Sequence, residues 1–488
     1  MRMEYTGVPV MSGFSLRAFT QEQLKAIHHG VLYILEKVGL KVQSDMAAEL
    51  FVKAGAKVID ENNFFKVNLP QWLVEDCISS APKGFVYYGR DPKYDFTAEP
   101  RRTGFTAFGQ CVKIFDPETG EYRSSTKADM AKSARLQDAL ENIRIVARTM
   151  APGDMPAQSH ALHCLDAILR NTGKHISGGA SNVVNLKAML ELLYAAAGSK
   201  DKFEARPFYS PSFCPTSPLT LCEDCCDVAI EAARAGLGLV VMIMPLSGAT
   251  GPVTPAGIVT LGIAEQIAGL TLAQIANKGT PVTLGSASTI MDLRTAVSAM
   301  GAPESGIINA SLVQMAGFYG LPSRVACGVS DAKALDSQVG YEYATNAVTA
   351  ALSGASVVFG GGALESGLTH SPAKLLMDHE CMGNIRKILE GVSTDDKSMA
   401  VDIIEEIGPA GSFMMHDQTM QHVQELRKNP PNDLFDRKSR AAWEKDTGGR
   451  PVNEIAAEKA CFIINNHTPA PLPDGATEKM DKILASFI

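Results

Sequence analysis

From about residue 143 onward the chain alternates short apolar runs with amphipathic stretches, and this alternation narrows the fold more than any other feature. A short apolar run bounded by polar or glycine-rich residues reads as a buried strand, and a following stretch with helical spacing of its apolar residues reads as a helix. Seven runs fit the strand description: 143–149, 174–180, 206–213, 237–244, 280–288, 323–330 and 355–363. An eighth, GFTAFGQCV (104–112), lies upstream and is separated from the next by the amphipathic STKADMAKSARLQDAL. Eight strand–helix units close naturally into a TIM (β/α)8 barrel, so an α/β fold of that class is expected over residues 101–400. An open doubly wound sheet would be expected to show a phosphate-binding glycine motif. GLGLVV (236–241) places its glycines before a strand, and FGGGALESG (359–367) lacks the Walker lysine.

The flanks read differently. TQEQLKAIHHGVLYILEKVGLKV (20–42) has the spacing of an amphipathic helix, with Thr20 to cap it and Gly39 to stop it. DMAAELFVKAGAKV (45–58) continues that character, so residues 1–100 are expected to form a helical addition. Residues 401–488 turn polar and locally proline-rich, as in RKNPPNDLFDRKSRAAWEKDTGGRP and NNHTPAPLPDGA. A helical arm wrapped on the barrel or on a neighbour is expected there.

A formal charge of −8, with no long run of Lys or Arg, leaves no electrostatic footprint for nucleic acid or an anionic membrane. No apolar run approaches the roughly 20 residues that span a bilayer. The opening MRMEYTGVPVMSGFSLRAFT lacks the apolar core of a signal peptide, so a cytoplasmic location is expected. Ten scattered cysteines fit reduced thiols better than a disulfide framework. Cys222, Cys225 and Cys226 stand together in LTLCEDCCDVAIEAARAG, where Cys222 and Cys226 share a helix face. No second CxxC and no histidine at ligand spacing accompanies them, so they read as small buried side chains and no metal is expected.

In a TIM barrel the active site lies at the C-terminal ends of the strands, which makes the residues after each apolar run the candidates. These are Gln110 after the first strand, Asp154 after the second, Ser210 to Phe213 on the fourth and PLSGATGP (245–252) after the fifth. Ser286 and Ser288 follow on the sixth, Asp331 and Lys333 after the seventh, and Glu365 and His370 after the eighth. There is no His-x-x-x-His pair, G-x-S-x-G elbow or Cys/His cluster, so hydrolytic and zinc mechanisms lack support. Aromatics, small hydroxyls, amides and a few charges suit a small polar or cationic ligand. Tyr209 and Phe213 also fit a core position. CGVSDAKALDSQVGYE (327–342) reads two ways: Ser330 or Asp331 caps the following helix, or these polar groups line a pocket.

LKAIHHGVLYILEKVGLKV, AGAKVID, APKGFVYYGRD, SDAKALDSQVGYE, KLLMDHECMGNIRKILEG and AAWEKDTGGR occur in an order and spacing that resembles the trimethylamine methyltransferase family nearly end to end. That family includes quaternary-amine (betaine) methyltransferases that pass a methyl group to a corrinoid protein. The resemblance implies a TIM barrel with helical additions, no metal or cofactor on this chain, and a separate corrinoid (cobalamin) protein as partner. A homo-oligomer is expected as well. Members that demethylate trimethylamine carry pyrrolysine, whereas this chain has only standard residues and so is similar to the non-pyrrolysine branch. A quaternary ammonium leaves as a neutral amine, so its methyl group passes to cobalt(I) without further activation of the leaving group.

On this reading Tyr209 and Phe213 hold the cation at roughly 0.5–2 kcal/mol each. Lys333, with His370 as second donor, holds a betaine carboxylate, and Asp331 orients Lys333. Gln110 and Glu365 complete the expected substrate-binding set. The rivals are a barrel lyase or aldolase with Lys333 as Schiff-base nucleophile, and a betaine-binding protein without turnover. Glycine betaine, proline betaine, carnitine and butyrobetaine share one cationic head, so the sequence does not choose among them.

Overall fold

The computed structural model describes residues 15–428 and 434–487. Most of the opening stretch read above and the Asn-Pro-Pro-Asn-Asp segment of the arm lie outside these residues. Each of the eight expected apolar runs supplies one barrel strand: β1 (Gly104–Ala107), β2 (Ile143–Ala147), β3 (His175–Gly178), β4 (Tyr209–Phe213), β5 (Leu239–Ile243), β6 (Val282–Ser286), β7 (Ser323–Ala326) and β8 (Val357–Gly361). They pair in chain order, all parallel, and β8 returns to β1 to close the barrel. Closure leaves no sheet edge, and burial on both faces explains why the strands read as continuous apolar runs.

The surrounding helices are α1 (Lys127–Ala139), α2 (His160–Leu169), α3 (Val183–Ala197), α4 (Glu223–Arg234), α5 (Pro255–Ala276), α6 (Pro303–Phe318), α7 (Ser337–Leu352) and α8 (Pro372–Glu390). By length and composition α5 could cross a membrane, but its apolar window is 83% buried within the chain. It packs on β5 and β6 on one side and on the N-terminal helices Gln21–Tyr33 and Gln71–Ser80 on the other. Such a helix is apolar all round because both of its faces are covered.

The N-terminal addition is not purely helical. Leu40–Val42, Phe65–Asn68 and Lys57–Asp60 form a sheet that also takes in Thr220–Leu221 from the loop after β4. The helical reading of 45–58 fails at Gly55, which sits at φ +89°, a conformation open to glycine but not to a continuing helix. A second hairpin, Phe85–Tyr87 with Phe96–Ala98, plugs the N-terminal end of the barrel. Its Tyr87 hydroxyl lies 2.6 Å from Thr283 Oγ1 of β6, and the Tyr87 ring packs at a tilt of 56° against His175 of β3, 4.6 Å between ring centres. Phe96 fills the space beside Gly104 of β1, where an added Cβ would meet its ring at 2.7 Å.

At the other end of the chain Val452–Asn466 packs on α8 and α1, and Ala476–Ala485 packs on α3. Between them and the barrel, Asp396–Met399, Val401–Ile407 and Asp417–Lys428 bury none of their residues.

Candidate active site

The C-terminal ends of the strands enclose a cavity of about 140 Å³, lined among others by Phe108, Gln110, Arg148, Ser177, Arg324 and Phe359. It opens into a wider vestibule of about 580 Å³ that shares Gln110, Arg148, Gly179, Ser212 and Cys214. Two arginines dominate the inner space. Arg324 is the second residue of β7, points inward and is 6% exposed. Its Nη1 donates to Ser177 Oγ of β3 at 2.6 Å, and its guanidinium lies 5.2 Å from the centre of the Phe359 ring. Arg148 follows β2 directly and reaches only the Gly179 carbonyl, at a long 3.4 Å. The buried Nε of each arginine has no hydrogen-bond acceptor.

Among the described residues no carboxylate pairs with either group. Burial holds the Arg324 guanidinium below its ordinary pKa. A buried cation without an anion is costly, and a bound carboxylate offsets that cost with charge-assisted hydrogen bonds. Beside them the lining is apolar: Phe108 and Phe359 stack at 6.0 Å and 14°, and Met242 and Met244 join them. The pocket therefore offers two cationic groups beside an apolar, aromatic lining.

Of the residues expected to bind substrate, Gln110 alone lines this cavity; its backbone N–H donates to the Arg148 carbonyl at φ +75°. Along β4 the even positions face inward, where Ser210 bonds His175 and Ser212 lines the cavity. Tyr209 and Phe213 consequently face the helices, each 1% exposed, with the Tyr209 hydroxyl on the Gly178 carbonyl and Phe213 against Gly269 of α5. Period-2 alternation sends them to the core.

Lys333 is exposed, and its Nζ donates to the Asp331 carbonyl rather than into the cavity. Asp331 stitches loops together: it accepts from the Gly301 N–H at 3.0 Å and from the Ser366 hydroxyl. Ser330 and the Asp331 N–H both donate to Glu342 of α7. The helix cap is neither Ser330 nor Asp331 but Asp336, which accepts from the Gln338 N–H at 2.9 Å. Glu365 accepts from Thr369 at 3.1 Å, outside the cavity. Asp154 accepts from the Lys127 N–H at the start of α1, and Ser286 and Ser288 bond each other and Asn309.

His370 is fully buried beside Ser133 of α1, 3.2 Å from its hydroxyl, and burial pushes its pKa down to about 4. Burial likewise pushes His379 down to about 4 and His175 down to about 3. These rings are neutral in the fold but bind a proton more readily once unfolded, at about pH 6.5. Stability is therefore expected to fall as the pH drops from about 6.5 towards 4, and His370→Gln should flatten part of that slope in denaturant titrations across this range. An unchanged slope would remove His370 from the account.

The sequence reading passed over Arg148 and Arg324. The signal was present in IRIVART, with Arg144 and Arg148, and in SRVACGVS, with Arg324, where arginines interrupt runs that must be buried on both faces.

Comparison with known proteins agrees with the fold. A crystal structure of the Methanosarcina barkeri monomethylamine methyltransferase (MtmB) superimposes with a TM-score of 0.50 over 96% of this chain and 92% of that one, at 12% identity. A trimethylamine methyltransferase MttB of Desulfitobacterium hafniense is 39% identical, covering 100% of this chain and 96% of that protein. MttB1 of Methanosarcina mazei is 34% identical over 98% and 96% of the two chains. A glycine betaine methyltransferase, also of D. hafniense, is 29% identical over 96% of each. The family model for trimethylamine methyltransferase (MTTB) matches residues 6–486, and the chain belongs to that family.

Proposed function

We propose that the chain moves a methyl group from a carboxylate-bearing quaternary amine, a betaine, to a corrinoid held on a separate protein. Methyl transfer is the activity of the family; the choice of a betaine rests on Arg148 and Arg324, two guanidinium groups without anions that line the cavity. The 29% identity to a glycine betaine methyltransferase supports the same choice. About 140 Å³ is below the size of a drug-like pocket and suits a molecule of few atoms.

In this reading Arg324, inside the cavity, and Arg148, between the cavity and the vestibule, hold the carboxylate. Phe108, Phe359 and the two methionines exclude water from the ammonium, so one N-methyl carbon faces the mouth. Reduced cobalt of the partner's corrinoid supplies the nucleophile when it is present at the mouth. The amine leaves neutral, so the cavity needs no proton donor at nitrogen, and none of the residues that line it is a carboxylic acid or histidine. The same arginines repel an ammonium that brings no carboxylate. Lys333 has neither the desolvation nor the position that Schiff-base chemistry needs.

With a reduced corrinoid protein as acceptor, betaines are expected to methylate cobalt and trimethylamine is not. A panel of glycine betaine, proline betaine, carnitine, butyrobetaine, trimethylamine and tetramethylammonium tests this. Equal rates from trimethylamine would sink the reading, as would betaine binding without any turnover.

A further inference from the structure

Cys222 and Cys225 open α4 in the sequence CEDC, Cys222 as the N-cap and Cys225 as the third helical residue. This places one sulfur at the positive end of the helix dipole and the other within one turn of it. Both are half-buried and line the vestibule beside Gln110, Arg148 and Cys214. Cys226, the next residue, is fully buried in the core, so only it fits the description of a small packing side chain.

The sulfurs are already partnered. Cys225 has one S–H and two acceptors in reach, the Cys214 carbonyl at 3.1 Å and the Cys222 sulfur. The Cys214 N–H donates back to Cys225 Sγ at 3.2 Å, and Thr216 Oγ1 lies 3.5 Å from Cys222 Sγ. These hydrogen bonds, that from Cys225 the largest, pull the Cys222 thiol down to about 5 against its partial burial and the charge of Asp224. The hydrogen bond to Cys222 and then burial push the Cys225 thiol up. An accessible thiolate beside a protonated thiol, spaced CxxC at a helix start, is the arrangement of a dithiol that exchanges with disulfides.

We propose that Cys222 and Cys225 form a redox-active dithiol at the rim of the substrate cavity, reversibly oxidised to a disulfide by low-molecular-weight disulfides of the glutathione type. The Cys222 thiolate attacks one sulfur of the oxidant, whose S–S bond breaks and releases one thiolate. That thiolate, or water, takes the proton from Cys225, whose sulfur then attacks Cys222 and expels the second thiol. Two protein thiols lose two electrons and two protons, and the oxidant becomes two thiols. Cys214 is the competing partner and is exposed at the same rim, but its backbone N–H and carbonyl clasp the Cys225 sulfur, which lies within one helical turn of Cys222. The proposal does not depend on the identity of the methyl donor.

The test uses the full-length folded protein in glutathione buffers of graded redox poise, acid-quenched, alkylated and mapped by peptide mass spectrometry. The expected result is a Cys222–Cys225 disulfide that forms with oxidised glutathione and disappears with reduced glutathione. At pH 6.5 iodoacetamide should modify Cys222 roughly tenfold or more faster than Cys214. Cys225→Ser should trap a glutathione adduct on Cys222, and Cys222→Ser should leave Cys225 unmodified. Oxidation that stops at a mixed disulfide in the native sequence, a Cys214–Cys222 bridge, or equal alkylation of Cys222 and Cys214 would each overturn the proposal.

Discussion

Arg324→Met is expected to lower kcat/KM for a betaine by roughly thirtyfold to several thousandfold, the equivalent of about 2–5 kcal/mol for removing one partner of a buried hydrogen-bonded charge pair. Methionine keeps most of the volume and the contact with Phe359, so the change removes charge and donors while leaving the cavity filled. Tetramethylammonium, which has no carboxylate, should lose nothing and can gain from a less positive cavity. Lys333→Ala, at an exposed residue tied only to a backbone carbonyl, should leave both substrates near their original values. Parallel measurement of all four combinations decides the matter. An equal loss for both substrates in Arg324→Met would make the arginine a structural element of the barrel, and a large betaine-specific loss in Lys333→Ala would return the anchor to the loop after β7.

Lys374→Met should be the most damaging single change to stability, at about 3–5 kcal/mol. The Lys374 ammonium is completely buried, 2.6 Å from Asp378 Oδ2 and 3.1 Å from the Gly328 carbonyl. Asp378 in turn accepts from the Gly362 N–H at 2.8 Å, so the pair joins α8 to the loops after β7 and β8. Without the lysine, a buried carboxylate is left with no cation, and burial then raises its pKa above that of the unfolded chain. Its penalty is smallest at low pH, where it carries a proton, and grows as the pH rises through the raised value. Replacing both residues, Lys374→Met with Asp378→Leu, should restore most of the loss. Denaturant midpoints of the two single variants, the double variant and the parent between pH 5 and 8 form the cycle; additive losses in the double variant would sink the account.

The barrel was readable in the sequence because strands covered on both faces must be apolar throughout, and eight such runs stand out against amphipathic helices. The N-terminal strands were not, because Lys57–Asp60 is only 4 residues long and mostly exposed, so it leaves no apolar run. The site was read from the wrong end of the same logic. Polar residues after the strands were collected as candidates, yet Asp331, Glu365 and Asp154 spend their hydrogen bonds holding loops and helix starts. Inward and outward positions alternate along a strand, and without the register Tyr209 could not be told from Ser210. The arginines that carry charge into the barrel, Arg148 and Arg324, lie within the apolar runs themselves.

The hairpin that plugs the barrel beneath Arg324 leaves the vestibule as the way in and out of the cavity. For methyl transfer through that mouth, traffic becomes sequential. On the proposed function the amine would have to be seated before a corrinoid protein covers the opening, and the demethylated amine would wait until that protein undocks. Such a site would turn over by compulsory order, and an excess of docked partner would slow it by sealing the cavity empty.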